Sequence, residues 1–132
     1  MSPGTDTQRE VIASAWQKVE GGLVFLAGLV IYLVLANVLP WWAAILLFFA
    51  PDLSFAAYAL GDRIGAAAYN VCHLYGVGAV LMAAGLVAGS VIPLALGALW
   101  LSHSGFDRML GYGLKSPAGF AITHLGRIGR TR

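Results

Sequence analysis

Residues 74–101 read Leu74-Tyr-Gly-Val-Gly-Ala-Val-Leu-Met-Ala-Ala-Gly-Leu-Val-Ala-Gly-Ser-Val-Ile-Pro-Leu-Ala-Leu-Gly-Ala-Leu-Trp-Leu101, without one charged side chain. Such a run belongs in a bilayer, where about 20 residues of helix cross the hydrocarbon core. It reads either as one long tilted helix or as parts of two spans, and that choice decides the fold. With a break near residue 89 the chain makes four spans: 22–39, 41–60, 64–88 and 90–110. The N-terminus, the 61–65 turn and the C-terminal tail then share one side. That side holds every basic residue: Arg9, Lys18, Arg63, Arg108, Lys115, Arg127, Arg130 and Arg132. Three spans would put those from Arg108 onward on the opposite side. Lys and Arg collect on cytoplasmic loops, which selects four spans with both termini cytoplasmic. The expected fold is all-α: an integral membrane four-helix bundle, multi-pass in the inner (plasma) membrane.

Composition agrees. Hydrophobic residues make up 59% of the chain and charged residues 11%, against roughly 25% charged in an ordinary soluble domain. At 132 residues the chain is one domain. A net charge of +2 is too small to point to nucleic acid. The implied partner is the lipid bilayer, with anionic head groups near the basic tail; a homo-oligomer or a larger membrane complex stays open. Cys72 is the sole cysteine, so no internal disulfide forms. Arg9, Glu10, Lys18 and Glu20 precede the first apolar run and no small-residue cleavage site closes it, so it reads as a retained anchor.

Residues 1–20 read as an N-terminal tail followed by an interfacial helix over 11–20 with Trp16 as anchor, or simply the lead-in to the first span. Residues 21–132 form the membrane domain with a short basic tail. The second span is broken at Pro51, which lacks the N–H that an unbroken helix needs. Proline suits the first position of a new helix, which places Asp52 in a first turn near a positive dipole end. Polar residues crowd the first half of the third span (Tyr69, Asn70, Cys72, His73, Tyr75) and the last half of the fourth (Ser102, His103, Ser104, Asp107). Residues 116–132 are too polar to cross. They either lie in water or dip Phe120, Ile122, Leu125 and Ile128 into the interface. Gly61-xxx-Gly65 and Gly85-xxx-Gly89 fit close helix packing.

The four-span arrangement puts ionisable groups at one depth. Counted inward from the cytoplasmic ends, Asp52 lies about 12 Å deep, His73 about 14 Å and His103 about 10 Å, with Asp107 nearer the surface. His103 and Asp107, spaced i, i+4, share a helical face. Ionisable groups in a bilayer are costly and face the bundle interior, so these four should meet. Imidazole and carboxylate together suit a divalent ion: zinc, manganese or iron. Such a site would make a bound water acidic for hydrolysis. The alternative is a structural hydrogen-bonded network in a non-catalytic membrane subunit, or in a transport or lipid-interacting protein. A third option is b-type haem held between His73 and His103. Asn70, Arg63, Arg108, Lys115 and His124 are candidates for outer contacts to the site or to phosphate and lipid. Arg108 alternatively snorkels as an anchor, and His124 is either a surface residue or a fifth ligand.

Four pieces carry a family resemblance: Pro51-Asp-Leu-Ser54, the Arg63-Ile-Gly-Ala-Ala-Ala-Tyr-Asn70 run with His73, the His103-Ser-Gly-Phe-Asp-Arg-Met-Leu-Gly-Tyr-Gly-Leu-Lys115 block, and Thr123-His-Leu-Gly-Arg127. With them the chain resembles the uncharacterised bacterial membrane family catalogued as domain of unknown function 4260, over roughly residues 20 to 130. That resemblance implies a multi-span inner-membrane protein and no activity. A looser likeness, resting on Pro51-Asp52, His73, His103 and Asp107, is to membrane-bound metal-dependent hydrolases; the richer His clusters expected of those are missing.

Overall fold

The computed structural model describes residues 3–129, so Arg130 and Arg132 lie outside the described residues. Five α-helices run in order: α1 (Pro3–Leu35), α2 (Trp41–Phe49), α3 (Asp62–His73), α4 (Tyr75–Ala88) and α5 (Val91–Met109). A 3₁₀ helix, Ala50–Leu60, follows α2 directly. Three short strands close the chain: β1 (Lys115–Ser116), β2 (Gly119–Thr123) and β3 (Gly126–Arg127), antiparallel in the order β1-β2-β3.

Two helical stretches, Gly4–Leu35 and Trp41–Leu60, are long and apolar enough to cross a membrane. The pair Asp62–His73 and Tyr75–Ala88 makes a third if it counts as one span, bent by 46°. The surface fits lipid: Leu33, Val34, Leu46, Leu60, Val80 and Val87 all stand exposed. A soluble monomer rarely shows contiguous apolar surface on that scale. Helix α5 coincides with the expected fourth span but falls short of the same measure, because Ser102, His103, Ser104, Asp107 and Arg108 fill its second half.

Polarity is turned inward. The buried set mixes small and aromatic residues (Ala95, Ala98, Tyr32, Tyr69) with Ser102, His103, Ser104 and Arg108. Helix α5 packs against both α1 and α4. The α1–α5 approach is close because neither helix carries bulk at the crossing. A Cβ added to Gly28 would stand 2.8 Å from the Ala98 carbonyl oxygen and the Ser102 backbone nitrogen. Ser102 Oγ donates to the Phe25 carbonyl across the same seam at 2.9 Å. Gly89, at φ 62°, ends α4 in the left-handed conformation, and Ser90 N–H returns to the Gly85 carbonyl at 2.9 Å. The Gly85-xxx-Gly89 spacing is therefore half turn chemistry.

Three differences from the sequence reading have physical causes. Helix α1 is continuous from Pro3, so residues 11–20 lead into the first apolar run instead of forming a separate element. The third span is two helices, because Leu74 is extended (φ −70°, ψ 135°). That break frees carbonyls at the end of α3, and α5 satisfies them. Trp100 Nε1–H donates to the Cys72 carbonyl at 2.7 Å, and Arg108 Nη2 to the His73 carbonyl at 3.4 Å. Broken helices persist in lipid only when neighbours fill those groups. Finally, the C-terminal tail folds as the small sheet, with β1 and β2 touching α3.

Candidate metal centre

Three elements supply four side chains. Pro51 restarts the chain as the 3₁₀ helix and places Asp52 in its first turn. His73 is the last residue of α3, and His103 and Asp107 lie one turn apart on the inner face of α5. The structure brings together all four: one ligand atom from each lies within 4.8 Å of the others. His73 Nε2 is 3.3 Å from Asp52 Oδ1, 3.2 Å from Asp107 Oδ2 and 3.2 Å from His103 Nε2. His103 Nε2 is 3.2 Å from Asp52 Oδ1 and 3.5 Å from Asp107 Oδ2.

These separations have a chemical meaning. A tetrahedral ion bound at 2.0–2.1 Å holds its ligand atoms about 3.3–3.4 Å apart, that is, about 1.63 times the bond length. Five of the six edges defined by the four atoms match that figure. The His73 tautomer suits it as well. His73 Nδ1 lies 2.8 Å from the Tyr69 carbonyl, which only accepts, so Nδ1 carries the proton and Nε2 presents its lone pair to the centre. The two carboxylate oxygens and His73 Nε2 thus converge as acceptors beside His103 Nε2, a donor set able to hold a cation.

The surroundings lock the ligands. Tyr69 stacks on His73 with centroids 3.8 Å apart, and its hydroxyl donates to Asp107 Oδ2 at 3.3 Å. The rings of Phe48 and Phe49 stand edge-to-face with His103, which is fully buried. On the other side the centre meets a cavity of about 400 Å³ lined by both carboxylates, Tyr69, Tyr112, Lys115 and Phe120 among others. The side chain of Asp52 is 35% exposed, against 15% for Asp107 and 2% for His73. Water and solutes therefore reach the centre past Asp52.

The outer candidates separate. Asn70 clamps β1: Lys115 N–H donates to its Oδ1 at 2.6 Å, and its Nδ2 donates to the Lys115 carbonyl at 2.9 Å. Lys115 is buried and lines the cavity, its ammonium 4.0 Å from the Phe120 ring centre and 5.1 Å from that of Tyr69. Burial pushes its pKa down, and the Asp107 charge works against that shift. Arg63 is exposed in the first turn of α3, some 15 Å along the helix from His73. Arg108 is not a snorkelling anchor: it is buried, caps α3 and lies 5.2 Å from the Tyr75 ring centre. His124 stands outside the four-residue group. Leu114 N–H meets its Nδ1 at 2.8 Å and Arg108 Nη1 meets its Nε2 at 3.0 Å. A neutral imidazole accepts at only one nitrogen; with Nδ1 accepting from Leu114, a second proton there would break that bond and set a cation beside Arg108. Burial first, and the Arg108 charge next, hold the His124 pKa below the usual histidine range. A haem between His73 and His103 needs the two imidazoles on opposite faces of a macrocycle, which a 3.2 Å gap shared with two carboxylates does not admit.

Sequence reasoning passed over Tyr69 as a positioning residue. The available signal was its i, i+4 spacing from His73, which puts hydroxyl and imidazole on one face.

Fold and centre together define a helical protein with stretches apolar enough to cross a membrane and a buried Asp/His group able to hold a metal ion. The chain belongs to the family described as a domain of unknown function (DUF4260), whose model matches residues 14–128. No curated protein and no solved structure matches it.

Proposed function

We propose that this is an inner-membrane protein crossing the bilayer four times, both termini cytoplasmic, whose Asp52, His73, His103 and Asp107 bind one divalent ion for hydrolysis. The observation that carries the reading is the set of five ligand–ligand distances between 3.2 and 3.5 Å. Zinc, manganese and iron all accept this donor set. When bound, such an ion lowers the pKa of a coordinated water toward about 7. The chain's own residues do the rest. His73 is oriented by the Tyr69 carbonyl, Asp107 by the Tyr69 hydroxyl, and the Phe48–Phe49 pair shields His103. Asp52 faces the cavity, where water would reach the centre. The topology is supported by the antiparallel seam of α1 and α5, which sets Gly21 beside Arg108 at the end that carries the basic residues.

A second reading rests on coordination number. Four protein donors complete a tetrahedral shell, and closed shells of that kind are structural. The centre would then tie α3, α5 and the 3₁₀ helix together in a non-catalytic membrane subunit. Metal analysis of the purified full chain tests both against a metal-free network. The expected result is about one ion per chain, lost in His73→Ala and in His103→Ala. Folded, metal-free wild-type protein overturns both.

A further inference from the structure

We infer that the cavity beside the centre takes a phosphate ester, recognised through Lys115; this rests on the metal-dependent hydrolase reading. Asp52 and Asp107 carry two negative charges, which a divalent ion balances. Lys115 is the remaining charge on the cavity wall, so the loaded cavity is positive by one unit. Among the described residues no carboxylate forms an ion pair with Lys115. Its contacts are ring faces, and a cation–π contact steadies an ammonium without neutralising it or filling its donors.

The placement is built. Asn70 pins the Lys115 backbone on both sides, and Asn70 is the neighbour in sequence of Tyr69, which positions two ligands. The ammonium and the centre are thus held by one turn of α3. Burial, which lowers the Lys115 pKa, shows what leaving this charge unmatched costs. A carboxylic ester is neutral and leaves it unmatched. A phosphate diester brings one negative charge, equal to the unit in excess, and its oxygens would accept from the Lys115 ammonium beside the centre. Its hydrolysis forms a bond from water oxygen to phosphorus and breaks one ester P–O bond. The water gives up a proton and the departing alkoxide takes one. Soluble phosphate esters and phospholipid head groups share this chemistry.

The test uses the full chain in maltoside detergent micelles, which hold no phosphate, loaded with the metal found in the purified protein, and labelled inorganic phosphate as probe. Wild type should bind phosphate only when metal-loaded. Lys115→Met should weaken that binding about 10–100-fold, the scale of one charge-assisted hydrogen bond, at unchanged metal content, and Lys115→Arg should recover most of it. Phosphatidylglycerol added to the micelles displaces the probe if the source is a head group; glycerophosphoglycerol alone displaces it if the source is soluble. Equal phosphate binding by wild type and Lys115→Met, or none by metal-loaded wild type, overturns the inference while leaving the metal centre standing. Wild type without metal overturns both.

Discussion

Replacing Asp107 by Asn keeps the shape of the side chain and removes one ligand charge. In the structure its Oδ2 faces His73 Nε2 at 3.2 Å and His103 Nε2 at 3.5 Å, and accepts from the Tyr69 hydroxyl at 3.3 Å. The outcome depends on what holds the cluster together. Loss of an outer contact to a metal ligand costs about 10–100-fold in affinity, and loss of a ligand costs more. Metal present at about 100 times its dissociation constant stabilises the fold by about 2.7 kcal/mol; a variant 100-fold weaker retains about 0.4 kcal/mol of that. Thermal unfolding in lipid nanodiscs, with metal and with chelator, reads the difference. Wild type should lose most of its metal-dependent rise in Tm on substitution, and the chelated proteins should unfold within about 1 kcal/mol of each other, near the average for hydrogen bonds between membrane helices. A metal-free network instead predicts a loss of no more than about 1 kcal/mol in the variant, the same with metal as with chelator. An unchanged metal-dependent shift in Asp107→Asn, or no shift in either protein, refutes the ligand assignment.

Further outcomes follow from other parts of the molecule. The His124 pKa is lowered in the folded state, so its contribution to stability is complete above the ordinary value of about 6.5 and is lost as pH falls below that toward the lowered value. An NMR titration should place the ring below the ordinary range and show the β2 signals changing with it; a value at or above about 6.5 contradicts the Leu114–His124–Arg108 geometry. Gly28→Val should destabilise the α1–α5 seam by about 1–3 kcal/mol, whereas Gly76→Ala, where an added Cβ meets nothing within 4 Å, should not; equal unfolding in a detergent titration would rule out the close crossing. Reporter fusions at the two ends should both read cytoplasmic, and a periplasmic C-terminus would reverse the topology.

The site was more legible than its supports. Pro51-Asp52 announces a helix restart with a carboxylate in its first turn, and His103-xxx-Asp107 announces a shared face; both hold. Depth counted along the spans then brought His73 to the same level, because 1.5 Å per residue is a constant of the helix. The bend at Leu74 had no such signal. Neither proline nor glycine occupies that position, and the break survives because Trp100 and Arg108, far along the chain, satisfy its carbonyls. For the same reason Arg108 faces inward: its depth was readable, but its partner was not. The terminal sheet escaped because β1 and β3 have two residues each, and in β2 the alternation leaves the large apolar Phe120 and Ile122 outward. Asn70 was readable as a polar residue within an apolar span, but its role as the clamp on β1 is a tertiary fact.

The central claim is that Asp52, His73, His103 and Asp107 surround one ion. X-ray absorption at the edge of the metal carried by the purified full chain measures that shell directly. The account predicts two imidazole nitrogens and two carboxylate oxygens at about 2.0–2.1 Å for zinc, with the imidazole scattering halved in His73→Ala if metal is retained at all. A shell without imidazole, or a wild-type protein that folds with no metal, would contradict it.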